Sequence, residues 1–136
     1  LTTKKERSVD MYRYHHLHLI CSDLERTERF FVEILGARLV ERRKFGTADG
    51  AVLDLHGARI NLRISRPDEV MTGDGSQKHY GYDHLGLELE DIDSAYKELQ
   101  EKGFEFISPP TDTGISKVAF FRGPDNIIIE LLQRKV

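Results

Sequence analysis

The sequence predicts an α+β fold built from two copies of one strand-helix-strand-strand-strand unit. The first observation is an internal repeat, in which HLHLICSDLERTERFFVEILGARLV aligns with HLGLELEDIDSAYKELQEKGFEFI. His16 corresponds to His84 and Asp23 to Asp91, each 68 positions later. The second observation is that each copy begins with alternating apolar and polar residues, typical of a strand, and continues with helical spacing. Two related modules therefore account for most of the chain.

The first module covers about residues 12–64. Its opening strand, HLHLIC, leads to Ser22 and Glu25, a candidate capping box for the following helix. Three short runs with strand character come next: ARLVERR, AVLDL and ARINLRI, the first two separated by the turn segment TADG. The apolar side of the helix comprises Leu24, Phe31, Ile34 and Leu35.

The second module covers about residues 80–135 in the same order. Asp91 is predicted to cap its helix. Three strand-like runs follow, FEFI, SKVAFF and NIIIELLQ, with the turn segments SPPTDTG and GPDN between them. The polar residues 65–79 read as a surface linker, and residues 1–10 as a disordered extension, so that a single domain spans 11–136. The apolar stripe of the helix comprises Ile92, Ala95, Tyr96 and Leu99.

Composition excludes several classes of function. The 136 residues include 20 lysines and arginines against 23 aspartates and glutamates, a formal net charge of -3, and no basic stripe of the kind that follows nucleic-acid phosphates. No apolar run approaches the roughly 20 residues of a membrane helix, and the single cysteine cannot form an internal disulfide. With no signal-peptide pattern at its start, the chain is expected to be soluble and cytoplasmic, without nucleic-acid or membrane partners.

Strand alternation collects polar residues on one face of each sheet. Leucines alternate with His16 and His18 in the first strand, so those leucines are expected to face the helix. Cys21 shares the leucine face and is expected only to pack. A buried polar group without a partner costs roughly 1–3 kcal/mol, so this face predicts a metal, a ligand or a water-filled cleft. The polar set also includes Arg59, Asn61, Arg63, His84, Glu88 and Glu130.

Two histidines and one carboxylate are a common coordination set for a divalent ion with open positions. The alternative is that each histidine is an ordinary hydrogen-bonded interior residue. Two features favour the metal: His16 and His84 occupy equivalent positions of the repeat, and Glu130 interrupts an otherwise apolar strand.

The chain resembles the vicinal oxygen chelate superfamily, which includes glyoxalase I, methylmalonyl-CoA epimerase, fosfomycin-resistance enzymes and extradiol dioxygenases. The resemblance rests on HHLHLICSDLERTERFF, DHLGLELEDIDSAYKELQEKG and VAFFRGPDNIIIELLQ. It includes H-x6-D twice and GPDNIIIEL where the family has a DPDGNLIEL-like hairpin. Asn126 replaces the usual glycine there, and asparagine also tolerates a left-handed conformation.

The resemblance implies two βαβββ modules with curved mixed sheets that enclose a metal cleft. It assigns His16, His84 and Glu130 as ligands of one divalent metal per subunit, with iron, manganese, nickel, cobalt and zinc all compatible. Asn61 stands where glyoxalase I has a second glutamate, and it could instead ligate as a carboxamide or lie just outside the ligand set. A homodimer is expected, with the cleft either within one chain or shared across the dimer.

The expected function is that of a metal-dependent lyase or isomerase, of the glyoxalase I or methylmalonyl-CoA epimerase type, which stabilises an enediolate-like intermediate of a small anionic carbonyl substrate. Glu130 is the candidate base, with Glu88 as a second one unless it pairs with an arginine. The alternatives are a fosfomycin-type transferase, an iron(II) ring-cleaving dioxygenase and a metal-free antibiotic-binding protein. The residues expected to contact the small-molecule substrate are His18, Arg59, Asn61, Arg63 and Lys117.

Overall fold

The structure, a computed structural model, describes residues 11–135. The expected disordered extension, residues 1–10, lies outside the described residues. The contacts divide the chain into two compact units that meet in sequence between Glu69 and Val70, within the segment expected to be a linker.

Each unit contains one helical segment and one four-stranded sheet. In the first unit the elements are β1 (Leu17–Cys21), α1 (Leu24–Arg29) continued by a π-helical segment (Phe30–Ile34), β2 (Arg38–Phe45), β3 (Ala48–Leu55) and β4 (Ala58–Ile64). In the second they are β5 (Leu85–Glu88), α2 (Ile92–Glu101), β6 (Phe106–Asp112), β7 (Ser116–Arg122), a 3-10 turn (Pro124–Asn126) and β8 (Ile128–Arg134).

Both sheets have the same topology. The strand order is β1-β4-β3-β2 in the first unit and β5-β8-β7-β6 in the second. In each sheet the first and last strands of the unit pair in parallel, whereas the other neighbours pair antiparallel. The predicted α+β fold of two βαβββ modules with mixed sheets is therefore confirmed.

Equivalent aspartates begin the two helices. The Asp23 side chain accepts a hydrogen bond from the backbone N–H of Arg26 at 3.1 Å, and Asp91 accepts one from Ser94 at 3.1 Å. These bonds satisfy backbone donors of the first helical turn. The prediction for Asp91 is confirmed, whereas the capping box assigned to Ser22 is wrong, because the cap is Asp23, the residue that the repeat aligns with Asp91.

Each unit has its own apolar core between helix and sheet. The leucine-bearing side of β1 faces inward, and Cys21 is only 2% exposed, as expected for a packing residue. The adjacent Phe30 and Phe31 are both buried in the π-helical segment, which sequence spacing did not predict. The side chains without solvent exposure include Phe31, Leu53 and Leu62 in the first unit, and Ile92, Phe121 and Ile129 in the second.

Two prolines that suggest a turn lie within a strand. The sequence SPPTDTG predicts a turn, but β6 runs through Pro109 and Pro110 as far as Asp112. A proline cannot donate a backbone hydrogen bond, so it is tolerated at the edge of a sheet. β6 is such an edge strand, and its register with β7 is irregular between Ser108 and Thr111.

No helix within residues 11–135 is long and apolar enough to cross a membrane.

Glu69, at the end of the first unit, forms hydrogen bonds with β4 and with the backbone that follows it. Its carboxylate accepts two hydrogen bonds from Arg63, at 2.7 and 2.8 Å, and one from the backbone N–H of Arg66 at 2.7 Å. Arg66 in turn donates to the carbonyl of Phe45 at 2.9 Å. Chiefly because of the Arg63 bonds, the pKa of Glu69 lies at about 2, below its usual value of 4.5.

We expect Gly50→Ala to destabilise the protein by about 1–3 kcal/mol, the usual range for overpacking. Gly50 lies in β3, where a methyl group would overlap the carbonyl oxygen of Leu62 and the ring of Phe45. Urea unfolding measures the change. Asp49→Ala is the control, since that side chain is 63% exposed and forms an ion pair with Lys44 at 2.7 Å. Equal stability of the two variants would contradict the close packing at Gly50.

Glu69→Gln should flatten the acid side of the stability profile. A carboxylate with a lowered pKa contributes stability above its unfolded pKa and loses it as the pH falls through its folded pKa. The loss should therefore fall between about pH 4.5 and pH 2 in the wild type and be smaller in the variant. Urea midpoints measured across this window test the expectation. Glu105→Gln serves as the control, because Glu105 is 79% exposed and lies 3.9 Å from Arg122.

Candidate functional site

His84 and Glu130 come together in the second unit. β5 pairs with β8 so that Gly86 lies opposite Glu130, and His84 stands directly before β5. As a result, His84 Nε2 lies 3.1 Å from Glu130 Oε1. The two side chains are 32% and 19% exposed. The structure therefore joins two of the three expected metal ligands into a partly buried donor pair.

The neighbours of this pair shape it on two sides. A methyl group at Gly86 would lie 3.3 Å from Glu130 Oε1, so the missing side chain leaves room for the carboxylate. Phe120 is opposite Glu130 in the antiparallel pair β7-β8 and packs edge-on against the His84 ring, with the ring centroids 5.3 Å apart. The imidazole is thus bordered by one apolar and one charged group.

Asp83 contacts the other nitrogen of His84. Its Oδ2 atom lies 2.8 Å from His84 Nδ1, and its Oδ1 atom accepts a hydrogen bond from Lys78 Nζ at 2.9 Å. These hydrogen bonds, that with His84 first, hold the pKa of Asp83 at about 2. Sequence reasoning did not single out Asp83, although its position directly before a candidate ligand was a signal that could have done so.

The first unit has the same geometry with different residues. β1 pairs with β4 so that His18 lies opposite Asn61, which corresponds to Gly86 opposite Glu130. Asn61 is 7% exposed, and its Oδ1 atom has no hydrogen-bond partner in the described part of the chain. An amide oxygen therefore occupies the strand position that Glu130 has in the second unit.

His16 and His18 lie near each other in the first unit, with ring centroids 6.0 Å apart. His18 packs edge-on against Phe45 at 4.6 Å. Partial burial lowers the pKa of His18, and the positive charge of Arg63 lowers it further. Both effects favour the neutral imidazole, which can donate one hydrogen bond and accept another.

The two arginines expected to contact substrate differ in their surroundings. Arg63 is 12% exposed, and both of its terminal nitrogens donate to Glu69, so its planar fork is already occupied. We expected Arg63 to bind a substrate anion. The ion pair between Arg63 and Glu69 was not predicted, because no sequence pattern pairs these residues. Arg59 is exposed and pairs in register with Asp54 of β3.

The structure corrects the placement of Lys117. It pairs in register with Gln133, whose side chain accepts from the backbone N–H of Ile92 at the start of α2. Lys117 Nζ itself donates to Asp93 of α2 at 2.7 Å. Lys117 therefore lies on the helix-covered face, opposite to Glu130, because of strand alternation.

Glu88 lies on the expected face but has an arginine partner. Its Oε1 atom is 3.1 Å from Arg134 Nε, and its side chain is 53% exposed. The structure thus contains the ion pair that was the alternative to a catalytic role for Glu88.

The chemistry of the donors is compatible with a divalent metal. Imidazole nitrogen, carboxylate oxygen and amide oxygen suit zinc, iron, manganese, cobalt and nickel. The 3.1 Å approach of His84 to Glu130 and the unpartnered Oδ1 atom of Asn61 support this fit. Among residues 11–135, no group of three or more His, Cys, Asp or Glu side chains is arranged to hold an ion. The expected third ligand, His16, belongs to the first unit.

Comparisons with known proteins agree with this fold. Residues 13–131 match the family model of the Glyoxalase/Bleomycin resistance protein/Dioxygenase superfamily. The chain is 32% identical over 126 residues to the uncharacterized protein YwkD of Bacillus subtilis, covering 88% of this chain and 95% of that one.

Two further relatives carry functional names. The lactoylglutathione lyase of Schizosaccharomyces pombe is 24% identical over 147 residues, covering 93% of this chain but 49% of the enzyme, so this chain spans about half its length. The crystal structure of TnmS3, an antibiotic binding protein from Streptomyces sp. CB03234, superposes with a TM-score of 0.68 at 25% identity, covering 91% of this chain and 97% of TnmS3.

The family model covers most of the chain, and the paired βαβββ units match the fold of the superfamily. This protein therefore belongs to the glyoxalase/bleomycin resistance protein/dioxygenase superfamily.

Proposed function

We propose that the protein is a metal-dependent lyase or isomerase that acts on a small carbonyl substrate with two neighbouring oxygens. The observation that carries the proposal is the contact between His84 and Glu130, a nitrogen and an oxygen donor 3.1 Å apart and partly shielded from solvent. His16, the repeat equivalent of His84, completes the proposed ligand set. Likeness to the lactoylglutathione lyase of S. pombe supports the lyase class.

A divalent ion held by His16, His84 and Glu130 would supply a positive charge that stabilises negative charge developing on a substrate oxygen. The side chains around His84 would hold this ligand, and with it the ion, in one place. His84 is confined between the edge of Phe120 and the carboxylates of Asp83 and Glu130, so its ring has little freedom to turn. Asn61 would offer its unpartnered oxygen toward the same ion or toward the substrate.

Glu130 is the base of the proposed reaction. Its Oε1 atom contacts His84, and its Oε2 atom would remove a proton from the carbon beside the substrate carbonyl. Glu88 is less suited to this role because its carboxylate already forms an ion pair with Arg134, at 3.1 Å. Since Asn61 stands in place of a second glutamate, Glu130 would have to carry the proton without a matching carboxylate from the first unit.

Specificity for an anionic substrate would depend on Arg59. Of the two candidate arginines on β4, Arg59 is exposed, whereas Arg63 has both terminal nitrogens on Glu69. An exposed guanidinium can fork onto a carboxylate or phosphate. His18, which packs on Phe45, would contribute a second contact, and its lowered pKa favours the neutral ring.

A second candidate is a binding protein without catalytic activity. The likeness to TnmS3, an antibiotic binding protein, favours it. In that case His84 and Glu130 would form an ordinary interior hydrogen bond, and the protein would hold its ligand without a metal.

Metal uptake tests the proposed ligand set. The wild-type protein, stripped with a chelator and reloaded, should take up about one divalent ion per chain. His16→Ala, His84→Ala and Glu130→Gln should each abolish tight uptake, because a three-donor set loses one donor. Elemental analysis after dialysis measures the stoichiometry. His79→Ala is the matched control, since this exposed loop histidine forms a hydrogen bond with the carbonyl of Gln77, at 3.4 Å, and is not part of the proposed ligand set.

Uptake that survives His84→Ala and Glu130→Gln would refute the ligand set. Stoichiometric ligand binding without any metal would favour the binding protein instead.

Activity assays separate the reaction classes. The metal-loaded protein should convert a hemithioacetal or epimerise an acyl-CoA, and should not open fosfomycin or cleave a catechol. Glu130→Gln should lower kcat by about 10²–10⁴-fold, the usual contribution of a general base. Glu105→Gln, an exposed carboxylate next to Arg122, is the control. Turnover of fosfomycin or catechol alone would replace the lyase or isomerase assignment by a transferase or a dioxygenase.

A further inference from the structure

In both units, the residue directly before the candidate ligand contacts the Nδ1 atom of that histidine. In the second unit, Asp83 Oδ2 lies 2.8 Å from His84 Nδ1. In the first unit, His15 Nδ1 lies 2.8 Å from His16 Nδ1. His15 and Asp83 are themselves equivalent in the repeat, 68 positions apart. The Nδ1 contact recurs in both units although the partner residues differ. We take this to mean that Nδ1 binds a neighbouring side chain and that Nε2 is left for a ligand.

We propose that Asp83 is a positioning residue that accepts the Nδ1–H of His84 and so presents Nε2 as the metal-binding nitrogen. A neutral imidazole carries a single N–H, so a proton held on Nδ1 leaves the lone pair on Nε2. Carboxylates commonly hold metal-binding histidines in this way, fixing the tautomer and the ring orientation. The inference rests on the proposed function, since it requires His84 to be a ligand.

The carboxylate of Asp83 is itself held in place. Lys78 donates to Oδ1 at 2.9 Å, which leaves Oδ2 directed at His84. On the far side of the ring, Nε2 faces Glu130 at 3.1 Å. One ring nitrogen of His84 thus faces Asp83, and the other faces Glu130. Phe120, edge-on to the ring at 5.3 Å, limits rotation between them.

In the first unit, no carboxylate contacts the Nδ1 atom of the equivalent histidine among the described residues. His15 meets His16 through two Nδ1 atoms, of which only one can donate, and neither residue supplies a carboxylate. Charge-assisted hydrogen bonds are roughly twice as strong as neutral ones. His84 is therefore the more firmly oriented of the two histidines, and removing the Asp83 carboxylate should weaken metal binding.

The competing explanation is that Asp83 only fastens the loop through Lys78. The chain offers a matched comparison, because Asp93 forms a similar exposed ion pair with Lys117 at 2.7 Å in the same unit, without any histidine. A purely structural ion pair should behave alike in both places.

The test measures zinc binding to the full chain by competition with a chromophoric chelator, for wild type, Asp83→Ala, Asp83→Asn and Asp93→Asn. Asp83→Ala should weaken the zinc affinity by about 10–100-fold, the usual effect of removing such a partner. Asp83→Asn keeps an acceptor oxygen and should lose less. Asp93→Asn should bind like wild type. Circular dichroism confirms that each variant is folded.

Imidazole ¹⁵N spectra of the zinc-loaded wild type provide the second readout. Zinc should be bound to Nε2 of His84, with a proton on Nδ1. Zinc bound to Nδ1 would overturn the inference, because Asp83 could not then accept the Nδ1 proton. Equal affinities of Asp83→Ala and Asp93→Asn would overturn it as well.

The His84→Ala variant distinguishes this failure from that of the proposed function. If His84→Ala binds zinc as tightly as wild type, His84 is not a ligand, and both the proposed function and the inference are wrong. If His84→Ala loses zinc while Asp83→Ala keeps it, the proposed ligand set stands and the role of Asp83 is refuted.

Discussion

The parallel pairing of the first and last strands of each unit is the constraint on which the candidate site depends. It sets Gly86 opposite Glu130 in the second unit and His18 opposite Asn61 in the first. Since side chains alternate along a strand, a slip of one residue would turn Glu130 to the helix-covered face and remove its contact with His84. Register, more than any single side chain, brings the two donors together.

On this common framework the two units differ in charge. The second unit surrounds its histidine with the carboxylates of Asp83 and Glu130. The first has His15 and Asn61 at the equivalent positions, and Arg63 of β4 is bound to Glu69. The carboxylates beside the histidine are therefore confined to the second unit, and the first has an imidazole and an amide at the equivalent positions.

Much of the fold could be predicted from the repeat, because strands and helices follow from local spacing. Details set by contacts distant in sequence could not. The prolines of β6 look like a turn, and only the edge position of that strand makes them acceptable. The binding of Arg63 by Glu69 and of Lys117 by Asp93 depends on how loops and helices return to the sheet. His16 and His84 were singled out because they recur in the repeat, and their role as ligands stays a prediction.

Among the described residues, each sheet is built from four strands of its own unit. A single segment of chain, after Glu69, connects them. Because each sheet is assembled from one continuous part of the chain, a substitution that disrupts the strand pairs of one unit leaves the strand pairs of the other unit intact.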